Sequence, residues 1–253
     1  MSDQDMQMET NDQLVLIAGL SAAGKSASLR NIRNQERWLY MNTEAGKKLP
    51  FRNKFQSARI SDPWEVVQGF DWAIDDGPDG GANQVDGIIV DSLTFLMDMF
   101  ESQYIVGSAN TMKAWGDYNQ FFKTLLQDRV IRFGKPVIFI AHVKDEYDEK
   151  NMETKTAVPV KGALKGNGVE AYFSCVVGAK KVSIKELEKY GSDLLKITDD
   201  DKELGYKHVF QTRITKGTTG ERIRAPMDLF TKAQTYMDND AQMLLDHLHK
   251  FYS

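Results

Sequence analysis

Cysteine is all but missing from this chain of 253 residues. Cys175 stands alone, so no disulfide within the chain is available and a reducing, cytoplasmic setting is expected. Its neighbours Phe173, Ser174, Val176 and Val177 mark it as a core residue rather than a nucleophile. Long apolar runs are missing too. None approaches the ~18 residues that cross a membrane, and the polar, Met-rich start has no signal-peptide core, so no membrane partner is expected. Charge of one sign is also lacking. With 32 basic and 36 acidic residues the formal net charge is −4, which excludes a global pull toward nucleic acid and leaves that task to local patches. What is present is ordinary for a soluble globular protein: 42% hydrophobic and 27% charged residues, at a length that suits one large domain.

Against that background one stretch stands out. Gly19-Leu20-Ser21-Ala22-Ala23-Gly24-Lys25-Ser26 fits G-x-x-x-x-G-K-[ST], the phosphate-binding P-loop or Walker A motif. The apolar run Leu14 to Ala18 before it reads as a strand, and Ala27, Ser28, Leu29 and Ile32 after it read as the opening of a helix. In that context the glycines let backbone N–H groups of residues 19–27 point at phosphate oxygens. Lys25 is expected to reach the β- and γ-phosphates of ATP, and the Ser26 hydroxyl to bind Mg2+.

The rest of the chain alternates strands and helices. Trp38 to Met41 and, more weakly, Ser57 to Ile60 read as strands. Asp62-Pro63-Trp64-Glu65 has the residues of a helix start, followed by Val66, Val67, Phe70 and Ile74 at helical spacing. Ile88 to Val90 reads as a buried strand, 92–104 and 112–132 as helices, and Pro136 to Ala141 as another strand. This order predicts an α/β fold with a mainly parallel sheet and helices on both faces. Gly87 to Asp91 has the Walker B pattern, placing the Asp91 carboxylate beside the P-loop as a second metal-binding group. Ser92 occupies the position where many ATPases carry glutamate, so Glu44, at the end of the next strand, is the expected water-activating carboxylate.

Walker A, then a segment ending in Thr43-Glu44, then Val90-Asp91-Ser92, then Ile138-Phe139-Ile140-Ala141-His142 resembles the RecA recombinase ATPase core. It is most similar to the short phage-type RecA-like ATPases of single-strand annealing and recombination, over about residues 13–230. That resemblance implies Glu44 as the catalytic glutamate and His142 as the polar sensor of the γ-phosphate, where RecA itself carries glutamine. It implies DNA-binding loops at Tyr104 to Met112, with Tyr104 as a base-stacking residue, and at the aperiodic segment Val143 to Val169. There Lys155, Lys161 and Lys165 among glycines suit phosphate contacts. His208 to Lys216 reads as a strand turning at Gly217 to Gly220 into the alternating Arg222 to Arg224, a hairpin, and the resemblance implies Lys216 and Arg213 as fingers reaching a neighbour's γ-phosphate. The charged stretch Lys180 to Lys207, with Asp199 to Asp201, reads as a surface insertion rather than a metal site.

The resemblance therefore implies a Mg2+-dependent ATPase that binds single-stranded DNA as a ring or filament homo-oligomer, with a single-strand binding protein as a further partner. A small-molecule or nucleotide kinase and a non-catalytic nucleotide-dependent binding module remain the alternatives. The domain organisation expected is a disordered tail over 1–12, a RecA-like ATPase domain over 13–235 and a C-terminal helix within 236–253 packed on it. Leu244, Leu245, Leu248 and Phe251 share one face of that helix.

Overall fold

The computed structural model describes residues 11–149, 152–162 and 164–253. Strands β1 (Leu14–Gly19), β2 (Trp38–Asn42), β3 (Gln56–Arg59), β4 (Gly87–Asp91) and β5 (Val137–His142) precede a separate pair, β6 (Lys144–Asp148) and β7 (Glu153–Ala157). The strands β8 (Cys175–Ser183), β9 (Tyr206–Gln211) and β10 (Tyr236–Asp238) follow. One sheet runs in the order β10-β9-β8-β1-β5-β4-β2-β3. Neighbours from β8 to β3 pair in parallel, while β8–β9 and β9–β10 are antiparallel.

The apolar runs read from the sequence become strands buried on both faces. On β1, Leu14, Leu16 and Ala18 enter one core and Val15 and Ile17 the other, as the two-residue period of a strand requires. The first core is closed by α1 (Trp64–Ile74), α2 (Leu93–Phe100) and α3 (Thr111–Thr124), the last continuing in wider turns to Phe133. Its fully buried Phe70, Phe100, Phe121, Phe122 and Phe139 each contribute about 1.5–3 kcal/mol by leaving water. The second core is closed by a short 3-10 helix, Ser26–Asn31, and by α5 (Ala241–Tyr252), while α4 (Asp199–Leu204) leads into β9. Leu244, Leu245 and Leu248 of α5 are buried there, whereas Phe251 stays 42% exposed. At the start of α1, Asp62 Oδ1 accepts the Trp64 N–H at 2.8 Å and Glu65 Oε2 accepts the N–H groups of Ser61 (2.7 Å) and Asp62 (3.4 Å). The Glu65 N–H goes to the Asp62 backbone carbonyl, so the helix start is capped without a reciprocal Asp62–Glu65 box.

Four expectations need correction or a new boundary. Asn11, assigned to the tail, is buried and donates from Nδ2 to the carbonyls of Val130 (3.2 Å) and Lys135 (2.9 Å). The rest of that tail, residues 1–10, lies outside the described residues. Val143 to Val169 is not one irregular loop: it contains the β6–β7 pair, whose residues are polar on both faces and so carry no apolar alternation. The C-terminal antiparallel hairpin is present with different partners. Strand β9 ends at Gln211 and pairs with β8 and β10, while Arg224 makes a single bridge to Val176. Tyr236 and Met237 of β10 offer buried apolar side chains to the sheet, and of Arg222-Ile223-Arg224 only Ile223 does so. Lys180 to Lys207 is likewise not a plain insertion. Its ends extend β8 and begin β9, and Ile184 and Leu187 between them pack on Val209 and Tyr236.

Candidate nucleotide site

Parallel register brings the ends of the central strands to one edge of the sheet. Gly19 stands opposite His142, and Asn42 opposite Asp91. That edge, outside the carboxyl ends of the strands, is where α/β sheets hold ligands. A pocket there of about 360 Å³ is lined by Ser21 to Ala27 together with Glu44, Asp91 and His142.

The loop itself is shaped to receive anions. Ala22 (φ 60°) and Gly24 (φ 93°) take left-handed backbone conformations, and the N–H groups of Ser21, Ala22, Gly24 and Lys25 have no hydrogen-bond partner among the described residues. Gly19 is close-packed: a Cβ there would lie 2.6 Å from the Ala179 carbonyl oxygen. Lys25 is 6% exposed, and its Nζ donates to the carbonyls of Gly19 (2.9 Å) and Leu20 (2.7 Å). Burial pushes its ammonium down to about 8, a shift that Asp91 and Glu44 partly oppose.

The carboxylates are arranged around that lysine. Ser26 Oγ donates to Asp91 Oδ2 at 2.9 Å, and the Tyr40 hydroxyl donates to the same oxygen at 3.0 Å. Asp91 Oδ1 is buried without a partner among the described residues. Burial, and then the nearby Glu44, raise the Asp91 carboxyl above the usual range. An unpartnered buried carboxylate oxygen beside a serine hydroxyl fits a divalent cation, so Ser26 and Asp91 are suited to hold magnesium.

Glu44 is shifted the other way, to about 2, chiefly by its hydrogen bond with His142 and further by Lys47, against the cost of burial. His142 Nε2 donates to Glu44 Oε1 at 3.1 Å, which leaves Nδ1 facing Lys25 Nζ at 3.4 Å as an acceptor. Lys47 Nζ donates to Glu44 Oε2 at 3.1 Å. Two further clamps fix this geometry. The Thr43 hydroxyl both donates to the Ser92 carbonyl and accepts its N–H, each at 2.7 Å, tying the end of β2 to the end of β4. Thr94 Oγ1 accepts the His142 N–H at 2.8 Å.

Lys25, Ser26, Glu44, Asp91 and His142 are thus brought together as the sequence predicts. The residues expected as fingers and DNA contacts lie away from that pocket. Arg213 donates from Nη1 to the Phe230 carbonyl at 2.5 Å, and neither it nor the exposed Lys216 borders the phosphate pocket. Lys155 pairs with Asp148 at 2.5 Å, Lys161 pairs with Glu101, and Lys165 is exposed on a short helical turn. The Tyr104 hydroxyl donates to Asp62 and its ring packs on Phe100. The roles of Tyr40, Thr43, Lys47 and Thr94 are missed by the sequence reading. Tyr40 is hidden in an apolar strand, Thr43 enters only as the neighbour of Glu44, and Lys47 and Thr94 show no motif of their own.

A buried central strand, a loop of free N–H groups holding a lysine and a serine, and a strand-end carboxylate against that serine define a P-loop nucleotide-binding protein. Residues 11–221 match the family described as the AAA domain, and the chain belongs to that family. Nucleotide-dependent ATPase activity, usually with magnesium, is what the family suggests for this site. No curated protein matches the chain. No helix among the described residues is long and apolar enough to cross a membrane.

Proposed function

We propose that the chain is a magnesium-dependent ATP hydrolase that works as an oligomer on single-stranded DNA, in recombination or strand annealing. The observation that carries the hydrolase reading is the convergence of Lys25, Ser26, Asp91, Glu44 and His142 on one pocket. Magnesium, when bound, neutralises phosphate charge and aligns the phosphates. The loop N–H groups and Lys25 bind the phosphate oxygens, and Ser26 and Asp91 hold the cation. Glu44 orients and polarises a water through its carboxylate, which the hydrogen bonds from His142 and Lys47 favour in the ionised form. Freeing Glu44 for water means loosening its bonds to His142 and Lys47.

The DNA reading rests on connectivity and on the resemblance to RecA-like proteins. His142 touches Glu44 and Lys25 and is followed directly by β6, so a change at the γ-phosphate is two residues from the β6–β7 pair. The side chains of Lys155 and Lys161 stay about half exposed in their ion pairs (49% and 52%), and surface pairs of this kind are weak, so a phosphate backbone competes for both lysines.

The test is ATP hydrolysis with and without single-stranded DNA across salt concentrations. Stimulation by DNA is expected, and affinity should fall with a log–log salt slope of about −2, three lysines at ~0.7 each. Hydrolysis indifferent to DNA refutes the DNA reading. Turnover that needs a small phosphoryl acceptor identifies a kinase instead.

A further inference from the structure

We propose that His208 and Asn239 are positioning residues that set the aim of the phosphate loop from the antiparallel edge of the sheet. The inference rests on reading that loop as the nucleotide site. His208 lies on β9, and Asn239 directly follows β10. His208 Nδ1 stands 3.0 Å from the Ala23 carbonyl oxygen and so donates to it, and Asn239 Nδ2 donates to the Gly24 carbonyl at 2.9 Å. The two residues therefore grip consecutive peptide units of the motif from 185 and 215 positions downstream.

A peptide unit is planar and trans, so its carbonyl and its N–H point in opposite directions. Drawing the carbonyls of Ala23 and Gly24 toward β9 and β10 turns the N–H groups of Gly24 and Lys25 away from those strands. Neither N–H has a partner among the described residues, which leaves both for phosphate oxygens. The grip is tight. A Cβ on Gly24 would lie 2.7 Å from Asn239 Nδ2 and 3.0 Å from His208 Nδ1, so a side chain here would displace the tethers in addition to the strain of its φ of 93°. Asn239 is 5% exposed, and its own carbonyl accepts from Arg30 Nη1 at 3.0 Å. Its neighbour Asp240 accepts from Asn31 Nδ2 at 2.5 Å and caps α5. The loop, the short helix after it and the C-terminal helix are thereby joined into one unit.

A loop whose donors are already aimed need not be ordered when the anion arrives, which favours affinity. Of the groups placed to act on the γ-phosphate only Lys25 belongs to the loop; Glu44 follows β2, Asp91 lies on β4 and His142 on β5. Loss of a tether should therefore weaken nucleotide binding more than turnover.

Full-length His208→Leu, His208→Gln and Asn239→Asp are compared with the wild type by equilibrium binding of ATP with magnesium and by steady-state hydrolysis. His208→Leu and Asn239→Asp, which lose the donor, should raise Kd and KM roughly tenfold each while kcat falls by less than about threefold. His208→Gln, which keeps a donor, should regain most of the affinity. An unchanged Kd in folded His208→Leu overturns the proposal. So does a loss of kcat at constant Kd, or a His208→Gln variant as weak as His208→Leu. Should Asn239→Asp not fold, the two His208 variants decide by themselves. A wild-type chain that binds no ATP overturns the nucleotide reading itself, whereas wild-type binding that the variants match overturns only the tether.

Discussion

Only one oxygen of the buried Asp91 carboxylate is satisfied, by the hydroxyls of Ser26 and Tyr40, and the other has no partner among the described residues. Its folded-state pKa is raised, so the charge costs stability as pH rises through the ordinary carboxylate range, and the cost persists above the folded value. Asp91→Asn removes that cost and keeps an acceptor for Ser26 and Tyr40. At neutral pH without magnesium the variant should unfold between unchanged and about 2 kcal/mol more stable than the wild type, yet hydrolyse no ATP. A less stable variant would show that the charge is already compensated. Glu44 has the opposite sign. Its carboxyl is depressed to about 2, so its contribution is present above the ordinary range and is lost as pH falls toward that value. Glu44→Gln should bind ATP within a few-fold of the wild type and lose about 100-fold or more in kcat. His142→Ala removes the largest cause of the depression, so the acid limb of the hydrolysis pH profile should move to higher pH. An acid limb that stays in place would mean that Lys47 alone holds Glu44.

At the scale of elements, the β6–β7 pair is held to the body through its second strand. The Thr156 N–H donates to the Gly220 carbonyl at 3.0 Å, and a Cβ on Gly220 would lie 2.0 Å from the Thr154 carbonyl oxygen. Gly220→Ala must therefore push the turn at 217–220 off β7. Hydrogen exchange at Thr156 should accelerate at least about tenfold while the global melting temperature moves by only a few degrees. Unchanged protection at Thr156 would mean that the two segments are not coupled. None of this contact is visible in the sequence, where Glu153 to Ala157 is a polar stretch without alternation and reads as loop. The buried parallel strands are legible because their apolar runs end in Gly19, Asp91 and His142, and register then aligns those ends. Glu44 is legible for the same reason, as the carboxylate just past β2. The partners of β9 are not, because pairing with β10 rather than with 222–224 is decided by which side chains reach the core. His208 and Asn239 are invisible for a related reason: each acts through a single tertiary hydrogen bond to a backbone carbonyl.

At the scale of the whole molecule, the question is whether one copy completes its own site. Lys216 is exposed, has no hydrogen bond or ion pair among the described residues, and lies away from its own phosphate pocket. A cation there helps hydrolysis only if a neighbouring copy brings it to the γ-phosphate, where charge neutralisation lowers the barrier. Complementation separates the two cases. Glu44→Gln keeps the finger and loses the site; Lys216→Ala keeps the site and loses the finger; each is expected to be inactive when pure. In an equal mixture that assembles at random, about a quarter of the head-to-tail interfaces join an intact site to an intact finger. Mixed subunits should then recover about a quarter of wild-type hydrolysis, and dilution below the assembly concentration should abolish the recovery. If Lys216→Ala alone hydrolyses ATP normally, or if mixing restores nothing, Lys216 does not act across a subunit boundary, and the γ-phosphate charge is left to the chain's own Lys25 or to Arg213 of a neighbour.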